Sequence, residues 1–335
     1  MAETGVNANR LVTVFGGSGF IGRYIVRALA RQGWRIRVAV RRPDLANFLQ
    51  PLGGVGQIQA VQSNLRYPRS IEAALAGADA VVNATGIQRQ KGRQNFEAVH
   101  VFGARKLARA AAKAGIQNFV HISGIGADPQ SSNPYIASKA RGEAAIREAV
   151  ASAIVLRPSV VFGPEDDFFN RFATLARVLP ALPLFGGGET KLQPVFVGDI
   201  AKAAAAAVSG DAKAGAAYEL GGPEVMTLRQ VVSFVLQTID RRRVLIPLPF
   251  GVSKVLAQST EIASALTLGL FPAALTTTRD QVELLRDDNI VSPDALAAGR
   301  TLPGLGITPQ GVEAIVPSYL WRFRKTGQYA NTRPV

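Results

Sequence analysis

Three polar residues near the middle of the chain are of types suited to proton transfer. Ser123 follows the apolar run Asn118-Phe-Val-His-Ile122, and Tyr135 and Lys139 come shortly after it. Tyr135 and Lys139 stand four apart, which puts them on one face of a helix. A phenol with a pKa near ~10 is a poor acid–base group at neutral pH. A neighbouring ammonium and a cationic cofactor ring together favour the phenolate and draw that value down. A serine hydroxyl at the end of the preceding strand can then hold a carbonyl or hydroxyl oxygen. Tyr-x-x-x-Lys alone is a common accident, and its place one element after a strand-end serine is what makes it a catalytic candidate. The chain has no Cys and only two His, at 100 and 121. Disulfides, thiolate nucleophiles, Cys-ligated zinc and iron–sulfur clusters are excluded, and no metal site is expected. Any electrons moved here belong to an organic cofactor. His121 lies inside a strand pattern and reads as a core residue. Asp128 is the one further acid–base candidate between Gly124 and Pro134.

These groups need a scaffold, and the first 160 residues supply one by alternating strand and helix signals. Strands are expected at Leu11–Phe15, Arg35–Val40, Gln57–Val61, Ala78–Asn83, Asn118–Ile122 and Ala153–Leu156. Helices are expected at Ile21–Arg31, Asn95–Ala114 and Tyr135–Val150. Short apolar strands separated by helices predict a parallel sheet covered on both faces, and right-handed crossovers make it a doubly wound α/β (Rossmann) fold. After Pro158 the regularity falls. A helix over Asp199–Val208, a strand over Ala216–Leu220 and a helix over Thr227–Ile239 with Thr227 as N-cap remain legible. The expected division is a dinucleotide-binding domain over 10–160 and a smaller C-terminal α/β lobe over 161–330, interleaved with the sheet.

The turn after the first strand reads Gly16-Gly17-Ser18-Gly19-Phe20-Ile21-Gly22. Glycines at this spacing permit a tight turn, close backbone approach to a pyrophosphate and close helix–strand packing. The amides and dipole of the following helix favour the anion. At the end of the second strand an acid would select the ribose 2′-hydroxyl of NAD, whereas Arg accommodates the 2′-phosphate of NADP. Here stand Arg41 and Arg42, and Asp44 comes only after a Pro. Two guanidiniums suit a phosphate dianion, so NADPH is the expected cofactor. The fourth strand ends in Asn83-Ala84-Thr85-Gly86, small residues that let the chain pass beneath the cofactor's ribose.

Taken together, Gly16-x-x-Gly19-x-x-Gly22, Asn83-Ala-Thr-Gly86, Ser123, Tyr135-x-x-x-Lys139 and Arg157-Pro-Ser-Val-Val-Phe-Gly-Pro164 resemble the short-chain dehydrogenase/reductase superfamily of the extended or atypical type. More narrowly, the stretch from Arg157 to Asn170, Pro194-Val-Phe-Val-Gly-Asp199, Tyr218-Glu-Leu-Gly-Gly-Pro223 and Gln281-Val-Glu-Leu-Leu-Arg-Asp-Asp-Asn289 resemble the nicotinamide-binding accessory subunits of respiratory complex I, of the alpha-subcomplex subunit nine type. The resemblance implies a tightly held NADPH in a structural role, on a subunit docked to the peripheral arm. It implies a peripheral location on the cytoplasmic side of a bacterial inner membrane, or on the matrix side of a mitochondrial one. It also implies Asn64 and Leu65 beside the adenine, Lys139 on the nicotinamide ribose, Tyr135 and Ser123 facing the nicotinamide, and Pro158 and Val160 in the cofactor set. Where extended relatives often carry Gly-Asp-Leu, this chain reads Ser63-Asn64-Leu65, so that contact loses its charge.

Composition bounds the alternatives. The chain has 335 residues, 47% hydrophobic and 19% charged, with a net charge of +14. That is globular and basic, and it suits anionic partners, including an anionic membrane surface. No nucleic-acid module accompanies the charge, so no nucleic-acid partner is expected. No apolar run reaches spanning length, and the first nine residues lack a signal core. Ile262–Leu275 is apolar, and Ser318–Lys325 alternates aromatics with cations; each is read either as core or as a docking surface. An active NADPH-dependent reductase, dehydrogenase or epimerase using Tyr135 and Lys139 is the competing reading, and a sensor on the same fold is a third.

Overall fold

The computed structural model describes residues 7, 9–90, 92–251 and 279–327. The short runs of Val, Ile, Ala and Phe become the strands β1 (Leu11–Phe15), β2 (Arg35–Val40), β3 (Ile58–Gln62), β4 (Ala80–Asn83), β5 (Asn118–Ile122) and β6 (Ile154–Pro158). With the later strand Ala217–Leu220 they form one seven-stranded sheet. The order is Ala217–Leu220, β6, β5, β4, β1, β2, β3, and every pairing is parallel. All four residues of β4 are buried, as both-face coverage requires. The order reverses between β1 and β4, and a crevice outside the carboxyl ends of the strands is expected at such a switch point.

Helices α1 (Phe20–Arg31), α2 (Pro68–Leu75), α3 (Ala104–Lys113) and α4 (Pro134–Ala149) connect the strands. α1 packs with the later helix Val197–Ser209, while α2, α3 and α4 pack in succession over Phe15, Val81 and Phe119. The expected helix over Asn95–Ala114 is not uniform. Its first part, Glu97–Gly103, is π-helical, and only the remainder, α3, is α-helical. The wider turn goes with a close crossing: a Cβ on Gly142 of α4 would lie 2.2 Å from the carbonyl oxygen of His100. π-turns of this kind often mark functional positions.

The chain divides into two compact units. The first comprises Met1–Pro158, Val197–Leu220 and Val291–Thr308 and contains the sheet; the second comprises Ser159–Phe196, Gly221–Ile290 and Pro309–Val335. The second has its own core, built on Phe162, Phe169, Leu184, Val232 and Leu320. Its helix Leu228–Thr238 starts as the sequence predicts. Thr227 accepts from the Gln230 amide, and the Gln230 side chain accepts from the Thr227 amide. Buried Asp166 joins distant segments of this unit, accepting from the Gly163 amide at 3.1 Å and the Tyr319 hydroxyl at 2.6 Å. Tyr319, Leu320 and Phe323 are therefore core, whereas Trp321 and Arg322 face outward. Within the 281–289 motif, Asn289 accepts from the Ser159 hydroxyl at 2.8 Å through its carbonyl oxygen. The apolar segment Ile262–Leu275 lies outside the described residues.

Candidate functional site

The glycine turn sits at the carboxyl end of β1. Gly16 has φ +78°, and a Cβ there would come within 2.8 Å of the Ala84 carbonyl oxygen. One on Gly17 would reach Val38 at 2.7 Å, and one on Gly22 would reach the Gly16 carbonyl oxygen at 2.2 Å. Three positions thus tolerate no side chain. The turn presses β1, β4 and α1 together with backbone at its surface. Gly19 is the N-cap of α1 and contributes no side-chain cap, and the first turn contains no acid. The helix start is left polarised toward an external anion. Ser18, Phe20 and Ile21 complete the turn, and Arg23 braces it by donating to the Ser18 and Gly19 carbonyls, each at 3.3 Å.

At the end of β2 the two expected guanidiniums differ. Arg42 donates to Asp44 at 2.9 Å, and that bond holds the Asp44 carboxyl below its ordinary pKa. Arg41 instead lines a cleft with Asn64 and Arg69. After β3, Asn64 accepts from the Arg66 amide at 3.1 Å, and Leu65 is half-buried against Gly103. After β4, buried Asn83 accepts from both the amide and the hydroxyl of Thr85. Gly86 then passes close to the Lys139 ammonium, since a Cβ there would lie 3.5 Å from it.

Tyr135 and Lys139 are positioned by the start of α4. Asn133 caps the helix, accepting from the Tyr135 and Ile136 amides, and Pro134 fills the first helical position. Lys139 is buried, and its ammonium donates to the Ile122 carbonyl at 3.4 Å, next to Ser123 at the end of β5. The Lys139 nitrogen stands 5.8 Å from the centre of the Tyr135 ring. The Ser123 hydroxyl is buried and has no protein partner among the described residues. A buried hydroxyl of this kind costs stability unless a ligand satisfies it. Together with the side-chain-free cradle at Gly16, Gly17 and Gly22, it fits a bound nicotinamide dinucleotide.

For the ammonium's share of the effect, the ionisation of the pair departs from the sequence expectation. Burial pushes the Tyr135 phenol up to about 12, and the neighbouring ammonium does not bring it down. Burial also pulls Lys139 down to about 8, against the opposing pull of Glu143. Loss of solvent outweighs attraction here because each group is shielded more than it is paired. Asp128 is exposed and accepts from the Gln130 amide at 2.9 Å, a turn role. His121 is buried in β5 and held neutral, its pKa lowered to about 3 by burial first and Lys139 second. Pro158 ends β6, where its carbonyl accepts from the Ile125 amide at 3.0 Å. Val160 belongs to the second unit and accepts there from Val195.

Sequence reasoning passed over His100. It lies on the π-turn, packs 5.5 Å from Phe96 and meets Tyr135 edge-on at 5.6 Å. Its Nε2 accepts from the Ile87 amide at 3.1 Å, so its Nδ1 carries the proton and donates to Ser138 at 2.9 Å. Ser138 in turn donates to the Tyr135 carbonyl at 2.7 Å. One neutral imidazole therefore ties the loop after β4 to the first turn of α4. The available signals were the Phe96–His100 spacing of four and the two helix-interior glycines, Gly103 and Gly142. Buried Glu143, one turn beyond Lys139, receives two bonds from Arg157 at 3.0 and 2.6 Å. No local pattern revealed that pair.

Residues 12–221 match the model of the NAD dependent epimerase/dehydratase family. The chain is 32% identical over 320 residues to the Arabidopsis thaliana mitochondrial protein "NADH dehydrogenase [ubiquinone] 1 alpha subcomplex subunit 9", covering 95% of this chain and 79% of that one. It is 36% identical over 178 residues to a Caulobacter vibrioides "Ceramide reductase", covering 53% of this chain and 55% of the other. Among solved structures, MoeE5 in complex with UDP-glucose and NAD superposes with a TM-score of 0.66 at 17% identity, covering 92% of this chain and 97% of MoeE5. That likeness bears on the fold. The family model matches more than half of the chain, and the chain belongs to the NAD dependent epimerase/dehydratase family.

Proposed function

We propose that this protein is a nicotinamide-dinucleotide-binding accessory subunit of a respiratory NADH:ubiquinone oxidoreductase, in which bound NADPH acts mainly as a structural element. The observation that carries this reading is the extent of the relationship to the subunit 9 protein. It covers 95% of the chain, whereas the general family model ends at residue 221. The part of the second unit that lies beyond the family model is thus shared in sequence as well. Ligand bound only to the native state adds stability by mass action, about 2.7 kcal/mol at a hundredfold excess over Kd, without any turnover. The +14 charge and the outward Trp321 and Arg322 suit docking to an acidic face of the peripheral arm beside an anionic membrane. Among the described residues no helix is long and apolar enough to cross a membrane. A peripheral place on the cytoplasmic side of a bacterial inner membrane, or its matrix counterpart, follows from this reading.

When bound, a nicotinamide dinucleotide supplies hydride. The chain's own residues would do the rest: Gly16 to Gly22 bind the pyrophosphate, Lys139 holds a ribose hydroxyl, Ser123 fixes a substrate oxygen and Tyr135 donates its phenolic proton to it. The intact set, with the Caulobacter vibrioides relative, favours a second reading as an NADPH-dependent carbonyl reductase. Native mass spectrometry of the tagged chain from gently solubilised membranes separates the two. Co-migration with an NADH-oxidising assembly, with NADPH retained, is the expected result. A free protein that oxidises NADPH with a carbonyl substrate, and loses that activity in Tyr135→Phe, would overturn the first reading in favour of the second.

A further inference from the structure

A cleft of about 330 Å³ opens at the carboxyl ends of β2 and β3, lined by Arg41, Gln62, Asn64, Tyr67, Arg69 and Ser70. It contains two guanidiniums and no carboxylate. Arg41 follows β2 directly, and Arg69 comes from the first turn of α2. Among the described residues neither has an acidic partner, whereas Arg42 is bonded to Asp44 at 2.9 Å and is absent from the lining. The loop that carries Arg69 is fixed. The Ser70 hydroxyl accepts from the Asn64 amide at 3.0 Å and donates to the Tyr67 carbonyl at 2.8 Å, and the Ser63 hydroxyl donates to the Ser70 carbonyl at 3.1 Å. A preset loop loses little freedom when its cation engages a ligand.

We infer that Arg69, not Arg42, is the second cation of a phosphomonoester clamp formed with Arg41, and that its ligand is the 2′-phosphate of NADP(H). The inference rests on the dinucleotide reading above. Two guanidiniums from different elements approach a phosphate dianion from two directions, each with several donors, whereas Arg42 already spends part of its fork on Asp44. Tyr67, exposed at the rim, offers a flat apolar face beside the cations.

The experiment is a fluorescence titration of the full chain with NADPH and with NADH, on the parent and on Arg69→Gln, Arg69→Lys and Arg42→Gln. A hydrogen bond to a charged group is worth ~1.5–3 kcal/mol. Arg69→Gln should therefore weaken NADPH at least about tenfold and leave NADH within about twofold. Arg69→Lys should fall between, since charge survives and the fork does not. Arg42→Gln should leave both cofactors within about twofold. Loss of NADPH affinity in Arg42→Gln with Arg69→Gln unchanged overturns the assignment, as does equal loss of both cofactors in Arg69→Gln. A parent chain that binds neither cofactor sinks the dinucleotide reading itself, an outcome separate from these. Inorganic phosphate is the third arm. It should compete with NADPH in the parent and not with NADH, and competition with both would place the anion elsewhere.

Discussion

The two histidines make the first unit acid-labile in a way that can be calculated. His100 and His121 are each 3% exposed, and both are neutral in the fold, their pKa values lowered from 6.5 to about 2 and about 3. In the unfolded chain both titrate near ~6.5. Their contribution is present in full above that value, where neither state is protonated. As the pH falls below 6.5 only the unfolded chain takes up protons, and stability declines by about 1.4 kcal/mol per pH unit for each imidazole. From pH 7 to pH 5 this comes to about 2 kcal/mol each and about 4 kcal/mol for the pair. Unfolded carboxylates take up protons mostly below pH 5, so the window isolates the imidazoles. The assay is urea unfolding at pH 7, 6 and 5, followed by the fluorescence of buried Trp34 in a Trp321→Phe background, which removes the second of the two tryptophans. His100→Gln should reduce the loss between pH 7 and 5 by about 2 kcal/mol, whatever it does at pH 7. A parent that loses less than about 1 kcal/mol over this range, or a His100→Gln, His121→Gln double variant that loses as much as the parent, would show that the imidazoles do not set the acid sensitivity.

Gly22→Ala places a methyl 2.2 Å from the Gly16 carbonyl oxygen, so the turn must open, and dinucleotide affinity should fall more than about tenfold by equilibrium titration. Arg157→Met removes the bidentate partner of Glu143, whose side chain is only 2% exposed, and should cost about 3 kcal/mol by urea unfolding; adding Glu143→Gln should recover part of it. Thr227→Ala breaks the capping box of the helix Leu228–Thr238 and should cost about 1 kcal/mol.

What the sequence makes legible here is what has a short period or a fixed spacing. The strands β1, β2 and β5 lie at the expected residues because apolar runs bounded by Gly, Asn or Asp leave few alternatives. Gly16 and Gly22 are legible because a backbone that must pass another backbone forbids a Cβ wherever it occurs. Tyr135 and Lys139 are legible because four residues make one helical turn. What escapes is decided between distant segments. The π-turn at His100 is crossed closely by Gly142, 42 positions later in the numbering. The Asp166–Tyr319 bond joins residues 153 apart, so nothing local distinguishes the Tyr319 ring as core from a docking surface. The Arg42–Asp44 contact is local, yet it skips one residue across a proline and has no periodic signature.

The Ser123, Tyr135 and Lys139 set does not by itself choose between a structural cofactor and a consumed one. A buried ammonium and an unsatisfied buried hydroxyl both destabilise the ligand-free fold, and a dinucleotide that meets them offsets that cost whether or not hydride moves. In the proposed site Lys139 would hold ribose, and the Tyr135 ring, which packs against Phe96 and His100, would help fill the crevice. Turnover would add one requirement, the phenolic proton. Removing that one hydroxyl therefore separates the readings. In Tyr135→Phe a purely structural site keeps its NADPH affinity within about twofold and its place in the assembly, because the ring and Lys139 remain. A site built for turnover keeps the affinity as well but loses every trace of carbonyl reduction, because burial has already set that phenol at about 12, where it gives up its proton only to an oxygen held against it.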